Sequence, residues 1–280
     1  MPVSTAANAM LMPDSLRAGV ALLALLVLAV VCADLVAPFD PLEQSPTVRL
    51  SPPSMEHPLG TDAFGRDILS RVLYGGRFTL TASFAALSAT LCLGVCAGMA
   101  AGILGGLCDA VLMRIVDVLM AFPFTVLALV VTALFGTGFL HLLFAVAAVW
   151  WVPFARLARS ITLSSGNDTE VAAARVLGAS GLTIAVHEIL PKVTGPAWVL
   201  ATFELGKLIL SLSALSFFGL GAKPPSPEWG TMLADAKVHF FRAPHLLLGP
   251  ALFIFLTVLS LNLMGEGLRD RLDPFEIPGF

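Results

Sequence analysis

The sequence predicts an all-α membrane protein with six transmembrane helices. Hydrophobic residues make up 57% of the 280 residues and charged residues only 12%, and the mean hydropathy is +0.89. Soluble globular domains carry about 25% charged residues, so lipid is the expected solvent for most of this chain. A formal net charge of -3, without runs of Lys or Arg, gives no reason to expect nucleic acid as a partner.

Six apolar segments recur along the chain, each close to the roughly 20 residues that cross a bilayer as a helix. They lie near residues 18–36, 79–104, 115–135, 139–157, 194–216 and 244–265. The first is longer than the core of a cleaved signal peptide, so we expect an uncleaved anchor. Gly94, Gly98 and Gly102 share one face of the second segment, where another backbone can approach closely, and Pro123 predicts a kink in the third.

Three hydrophilic connections separate the segments, and the number of spans determines their sides. An even number of spans puts both termini on one side of the membrane. The loop at 158–193 then lies on that same side, and the two other long connections lie opposite. Basic residues are divided almost evenly between the two sides, so the positive-inside rule does not fix the orientation.

The loop at 158–193 is predicted to form two short helices separated by a break. Residues with suitable capping preferences stand at the helix ends: Asn167 or Asp168 before the first helix, Glu170 in its first turn, Gly178 after it, Ser180 before the second helix, and Pro191 as its stop. Val171, Ala173, Ala174 and Leu177 give this loop more apolar surface than a free loop needs. We therefore expect a protein partner to cover it.

The same loop carries a spaced motif formed by Ala173, Ala174, Gly178, Leu190 and Pro191. It resembles the coupling loop of bacterial ATP-binding cassette (ABC) importer permeases, with Ala172 where that loop has glutamate and Glu170 as the nearest preceding acid. Three further stretches resemble the dipeptide, oligopeptide and nickel branch of these permeases, in particular its second, C-type subunit. They are HPLGTDAFGRDILSRVLYGGRFTL from His57, LSFFGLGAKPPSPEWGTMLADA from Leu215 and NLMGEGLRDRLDP from Asn262.

The resemblance implies a type I importer permease in the bacterial inner membrane. Such a subunit forms half of a translocation pathway, together with a second permease subunit, for peptides, nickel or a metal chelate. A periplasmic solute-binding protein delivers the cargo, and two ATPase subunits bind and hydrolyse ATP. The resemblance gives the coupling role to Glu170, Ala173, Ala174, Gly178, Leu190 and Pro191, which places the loop and both termini in the cytoplasm.

Under this resemblance the chain is not itself an enzyme, and no catalytic residue, metal ligand or cofactor is expected in it. The sequence contains no G-x-x-x-x-G-K-[ST] phosphate loop. The expected organisation is an N-terminal anchor helix and periplasmic connection over residues 1–78, then a permease core over 79–275. The core includes the coupling loop 158–193 and a periplasmic segment 217–243.

Two charged residues fall inside the fifth apolar segment. Glu204 and Lys207 lie three apart and share one helical face. A lone charge at that depth costs about 2.5–3.5 kcal/mol, so we expect both to face the protein interior. Two interpretations stay open: an ion pair between them, or a place on the wall of the translocation pathway.

The GTDAFGRD stretch contains closely spaced acidic and basic residues before the second span. We expect Thr61, Asp62, Gly65, Arg66 and Asp67 to order the chain there, with Asp and Arg paired at the membrane surface. Cys92, Cys96 and His141 could be recruited as soft metal ligands, but small apolar packing explains the cysteines more simply.

Two other classes of function compete with an importer permease. An ATP-independent secondary transporter usually has two related halves, and no such repeat is found here. A membrane-embedded enzyme such as an intramembrane protease needs catalytic residues within its spans. The sequence has no H-E-x-x-H motif, because Ile189, Leu190 and Pro191 follow His187 and Glu188.

Overall fold

The computed structural model of the protein describes residues 13–136, 138–222 and 225–272, and no β-strand occurs among them. The described helices are α1 (Asp14–Val31), α2 (Ala33–Val36), α3 (Ile68–Leu104), α4 (Gly106–Met120), α5 (Phe124–Phe135), α6 (Phe139–Val149), α7 (Val152–Ser165), α8 (Thr169–Val176), α9 (Gly181–Ile184), α10 (Leu190–Phe217), α11 (Trp229–Lys237) and α12 (His245–Leu272). A 3-10 turn covers Pro46–Val48, and a π-helical turn, Ala185–Ile189, joins α9 to α10.

Six membrane crossings can be traced through the described residues. Five helical stretches are long and apolar enough to cross a bilayer alone, at Asp14–Val31, Ile68–Leu104, His141–Ser165, Gly181–Phe217 and His245–Leu272. The sixth is a broken span, in which α4 and the first part of α5 meet at 94°. The break includes Pro123, so the predicted kink is confirmed. The predicted six-span, all-α fold is confirmed as well.

The second and third spans begin earlier in the structure than predicted. The second span begins at Ile68 rather than at 79, and the third begins at Gly106 rather than at 115. Arg71 and Arg77 lower the hydropathy of the first turns of α3, so these turns were not counted as part of the apolar segment. They are nevertheless helical, and Asp67 caps them. The predicted domain boundary between residues 78 and 79 therefore falls inside α3. Residues 1–12 of the first predicted domain and 273–275 of the second lie outside the described residues.

Contacts between helix ends show which connections lie together. Gly267 near the end of α12 lies against Leu16 at the start of α1. A Cβ atom added to Gly195, near the start of α10, would lie 3.6 Å from the Leu272 side chain at the end of α12. The loop 158–193 and both ends of the described chain thus lie at one end of the bundle, which we call the loop end. At the opposite, connection end, the segment 37–67 meets the start of α12, where Gly60 lies against His245.

The close approach predicted for the glycines of the second span is confirmed. A Cβ atom added to Gly94 would collide with the carbonyl oxygen of Trp151, just before α7, and one added to Gly98 with that of Ala155 in α7. A Cβ added to Gly102 would lie 2.6 Å from the Thr162 methyl carbon. Because α3 has no side chain at these positions, α7 packs directly against its backbone. The loop that follows α7 is thereby set against the end of α3.

The connection end is held by buried polar groups. Asp67 caps α3, accepting hydrogen bonds from the Ser70 backbone N–H (2.7 Å) and hydroxyl (2.8 Å), and it also contacts His57 Nδ1 at 3.0 Å. Arg66 Nε donates to Asp62 Oδ2 at 2.6 Å, which confirms the predicted Asp–Arg pair. The GTDAFGRD stretch is therefore a structural element of this end.

Candidate functional site

The first helix of the loop ends in a Schellman motif around Gly178. The Gly178 N–H donates to the Arg175 carbonyl and the Ala179 N–H to the Ala174 carbonyl, both at 3.0 Å. Gly178 has φ of +81°, a conformation that side chains other than glycine rarely adopt. The predicted glycine stop of α8 is therefore confirmed. No atom lies within 4 Å of the Cβ position of Gly178, so the position faces open space.

The start of the second loop helix is as predicted, but its end is not. Ser180 caps α9, since its hydroxyl accepts from the Thr183 N–H at 3.1 Å. Pro191 does not stop the helix; the chain continues through the π-helical turn into α10 and ends at Phe217. Proline is tolerated because it occupies the first turn of α10, where its missing N–H has no intrahelical role. The loop is thus continuous with the fifth span.

An ion-pair cluster joins the two ends of the loop. Lys192 Nζ donates to Asp168 Oδ2 at 2.8 Å and to Glu170 Oε2 at 2.9 Å. Asp168 is the residue before α8, but its side chain caps no backbone N–H and is engaged by Lys192 instead. Lys192 was not singled out from the sequence, because its partners lie 22 and 24 residues away. The cluster ties the beginning of α8 to the beginning of α10.

Apolar side chains of the loop divide into an inner set and an exposed tip. Val171, Ile184 and Ile189 are buried with Met99 of α3 and Ala158 of α7. The exposed tip consists of Val176 (88% exposed), Leu177 (86% exposed) and Leu182. The motif residues predicted for coupling follow this division: Ala174 and Leu190 are half-buried, whereas Glu170, Ala173, Gly178 and Pro191 are exposed.

Within the fifth span the two charged residues form an ion pair. Lys207 Nζ lies 2.9 Å from Glu204 Oε1. The Glu204 side chain is only 7% exposed, whereas that of Lys207 is 63% exposed. Of the two open interpretations, the ion pair between them is confirmed; within this chain, however, only Glu204 of the two faces the interior. The long side chain of Lys207 extends past the helix surface, away from the rest of the described chain.

No cluster of three or more His, Cys, Asp or Glu side chains that could hold a metal ion occurs among the described residues. Cys92 and Cys96 are exposed on α3, and His141 lies on α6. In the predicted periplasmic segment 217–243, Lys223 and Pro224 lie outside the described residues. Glu228 and Trp229 of the same segment are buried, and the Trp229 indole N–H donates to the Val72 carbonyl at 2.9 Å.

Comparison with known proteins identifies the architecture. The family described as "Binding-protein-dependent transport system inner membrane component" matches residues 94–276. The chain belongs to this family. It is therefore an inner-membrane permease of a binding-protein-dependent ABC importer, as the motifs predicted.

Relatives of this permease are similar over most of its length. The chain is 45% identical over 251 residues to the glutathione transport system permease protein GsiD of Escherichia coli O157:H7, covering 89% of this chain and 83% of that protein. The identity and coverage are the same for GsiD of Shigella boydii serotype 4. For GsiD of Shigella dysenteriae serotype 1 the identity is 44%, with the same coverage.

Proposed function

We propose that this permease forms half of a pathway that imports glutathione or a similarly small peptide. It would pair with a second permease subunit, two ATPase subunits and a periplasmic solute-binding protein. The observation that carries the cargo class is the 45% identity to permeases named for glutathione transport. Nickel and metal chelates, which the motifs leave open, have no such support. ATP is bound by the ATPase subunits, and the permease needs no cofactor.

The exposed tip is the surface through which the ATPase acts. A membrane-embedded chain gains nothing from three large apolar side chains in water, so their exposure favours a protein surface that covers them. Leu177 and Leu182 lie on either side of Gly178, whose sharp turn presents them together. The ATPases are cytoplasmic in such importers, so the loop end faces the cytoplasm. Both termini share that side.

Movement of the loop reaches the pathway through α10. The loop helix α9 continues into α10 without a break, and Lys192 fastens α8 to the same helix. A displacement of the tip by closing ATPases would therefore move α10 as a lever. Glu204 and Lys207 lie about 14 and 17 residues along that helix, roughly 20–26 Å from its start at about 1.5 Å per residue. This depth suits residues that line the pathway within the membrane.

The substitution Leu177→Asp tests the coupling role. In the complete importer reconstituted in proteoliposomes, we expect ATP-driven glutathione uptake to fall at least about tenfold, because a desolvated carboxylate at a docking surface costs more than 1.4 kcal/mol. ATPase subunits should also co-purify less with the permease. The permease itself should keep its melting temperature in detergent, since Leu177 makes no buried contact.

The matched control is Leu35→Asp. Leu35 is 87% exposed, almost the same as Leu177, but it lies at the connection end. We expect Leu35→Asp to leave ATPase co-purification unchanged. Equal loss of co-purification in the two variants, or full uptake with Leu177→Asp, would contradict the coupling role. Uptake by the unsubstituted importer without ATP would contradict the importer function as a whole.

A further inference from the structure

An apolar groove runs along the connection-end half of α10 and has a lysine near each end. Its volume is about 560 Å³, within the range of roughly 300–1,000 Å³ that is usual for small-molecule sites. It is lined by Leu210, Ser213, Ala214 and Phe217 of α10, Leu233 of α11, and Ile254, Phe255 and Val258 of α12. A small peptide fits this volume.

Lys207 lies at the end of the groove nearer the membrane centre. The preceding residue, Gly206, places its Cβ position 3.6 Å from Val258, the groove residue on α12. Lys207, Leu210 and Ala214 follow one another at helical spacing and are all exposed on one face of α10. The ammonium group has three N–H donors, of which Glu204 takes one. Two donors are therefore available to a ligand in the groove.

Lys237 lies at the other end of the groove. Its Nζ is 4.5 Å from the centre of the Phe217 ring, and Phe217 lines the groove. Within the described part of the chain no carboxylate forms an ion pair with Lys237. From residue 207 to residue 217, α10 rises by about 15 Å. The two cations thus stand at opposite ends of an apolar surface.

A third polar group borders the same groove. The Ser213 hydroxyl is buried and has no hydrogen-bond partner within the described structure, and Ser213 is one of the lining residues. A buried hydroxyl without a partner costs free energy, so such groups are usually paired. A ligand with hydrogen-bonding groups would satisfy it after a small rotation of the side chain.

The charges discriminate between the possible occupants of this groove. A lipid tail would leave the exposed Lys207 ammonium in hydrocarbon with Glu204 as its single partner, which is unfavourable for a charged group within the membrane. An apolar helix of the second permease would desolvate both ammonium groups and add no partner to either, leaving Lys207 with Glu204 alone and Lys237 with no carboxylate among the described residues. A cargo that carries carboxylates pairs with the two ammonium groups through charge-assisted hydrogen bonds and covers the apolar wall with its remaining atoms.

We propose that the groove is the cargo surface of this permease, and that Lys237 and then Lys207 bind the carboxylate groups of an anionic peptide as it moves inward. Glu204 acts as a positioning residue that holds the Lys207 ammonium at the groove. This inference rests on the proposed importer function. It adds the surface on which that small peptide lies and the two side chains that recognise its carboxylates.

The test compares two cargos in the complete importer reconstituted in proteoliposomes. The probes are glutathione and its glycine monoethyl ester, which lacks one carboxylate, both at saturating concentration and corrected for uptake without ATP. We expect Lys207→Met to reduce glutathione uptake about tenfold or more, the loss typical of one hydrogen bond to a charged group. Ester uptake should change less than about threefold, so the ratio of the two rates falls.

Two variants serve as controls for this ratio. Lys207→Arg keeps a cation and should keep the ratio near that of the unsubstituted importer. Arg271→Met removes a positive charge at the exposed end of α12 and should leave both rates unchanged. If Lys207→Met prevents the subunits from assembling, Lys237→Met takes its place under the same criterion, because Lys237 lies outside the spanning helices.

Equal loss of uptake for both probes would overturn the proposal and assign Lys207 to contacts between permease subunits. Unchanged uptake of both would overturn it as well. These results differ from a failure of the importer function itself, in which the unsubstituted complex shows no ATP-driven uptake of either probe.

Discussion

The connection end is fixed by buried polar groups, whereas the loop end rests on close contacts between helix backbones and leaves an exposed apolar tip. At the connection end, Asp67, Arg66 and Glu228 are all buried and have polar partners. At the loop end, the buried cluster around Val171 and Ile184 is wholly apolar, and its ion pairs lie at the surface.

This difference matches what each end has to do in an importer. Buried polar groups need fixed partners in fixed directions, so they hold one arrangement and oppose movement. A loop that transmits motion must instead move as a unit while its outer surface remains available to the ATPase. A small apolar cluster beneath the loop and a surface ion pair permit this. The two ends should therefore respond to different kinds of substitution.

The largest effect is expected from added volume beneath the loop. Gly98→Leu places a side chain where α3 meets the Ala155 carbonyl of α7, and a Cβ alone would already collide there. Since overpacking costs about 1–3 kcal/mol and sometimes more, we expect the yield of folded protein in detergent to fall severely. The measurement is recovery and melting temperature by size-exclusion chromatography after heating.

Gly195→Ala is the control for this prediction. Gly195 is also helical, but its Cβ position lies 3.6 Å from Leu272, an ordinary contact distance. We expect its melting temperature to stay within a few degrees of the unsubstituted protein. Equal melting temperatures for the two variants would show that α3 and α7 do not depend on this close approach.

The next largest effect is expected from loss of a buried polar partner at the connection end. Asp67→Ala leaves the Ser70 N–H and hydroxyl and the His57 ring without their acceptor and removes the cap of α3. We expect a loss of roughly 1–2 kcal/mol in stability, which lowers the melting temperature. Asp40→Ala, which removes an exposed acceptor for the Leu42 N–H, should have little effect. Similar losses in both would argue against the buried network.

Local features of the fold could be predicted from the sequence because their causes are local. Gly178 and Ser180 were assigned to helix ends because one residue type suits each position, and the structure agrees. The close helix approach at Gly94 and Gly98 follows from their spacing of four. The coupling motif gives its members fixed positions, but their role still depends on a partner subunit.

Other features depend on residues that are distant in sequence. The link from Lys192 to Asp168 and Glu170 forms only when α8 folds back on α10, so no local pattern reveals it. Pro191 was predicted as a stop because proline usually ends a helix, and no sequence signature reveals the π-helical turn through which the chain continues into α10. The orientation of Lys207 away from its own chain likewise depends on which helices cover α10.

The smallest expected effect concerns the pH response of the connection end. Glu228 caps α11, accepting hydrogen bonds from the Gly230 N–H at 2.9 Å and the Thr231 N–H at 2.8 Å. Burial raises the pKa of this carboxyl group, and the two backbone hydrogen bonds oppose the rise only in part. The folded protein therefore binds a proton at Glu228 more readily than the unfolded chain does. Its contribution to stability becomes more favourable as the pH falls toward the unfolded value.

Glu228→Gln removes this titration while keeping the size of the side chain. We expect the melting temperature of the variant, relative to the unsubstituted protein, to fall as the pH is lowered from about 7.5 to about 5, because only the unsubstituted protein gains stability from proton binding. Thr79→Val is the control: it removes the hydroxyl that accepts from the Trp229 N–H, but neither a titrating group nor a hydrogen bond to the Glu228 carboxyl group, so its difference should not depend on pH. A pH-independent difference for Glu228→Gln would mean that the carboxyl group titrates alike in the folded and unfolded protein. Ionising Glu228 would then cost no more in the folded protein than in the unfolded chain.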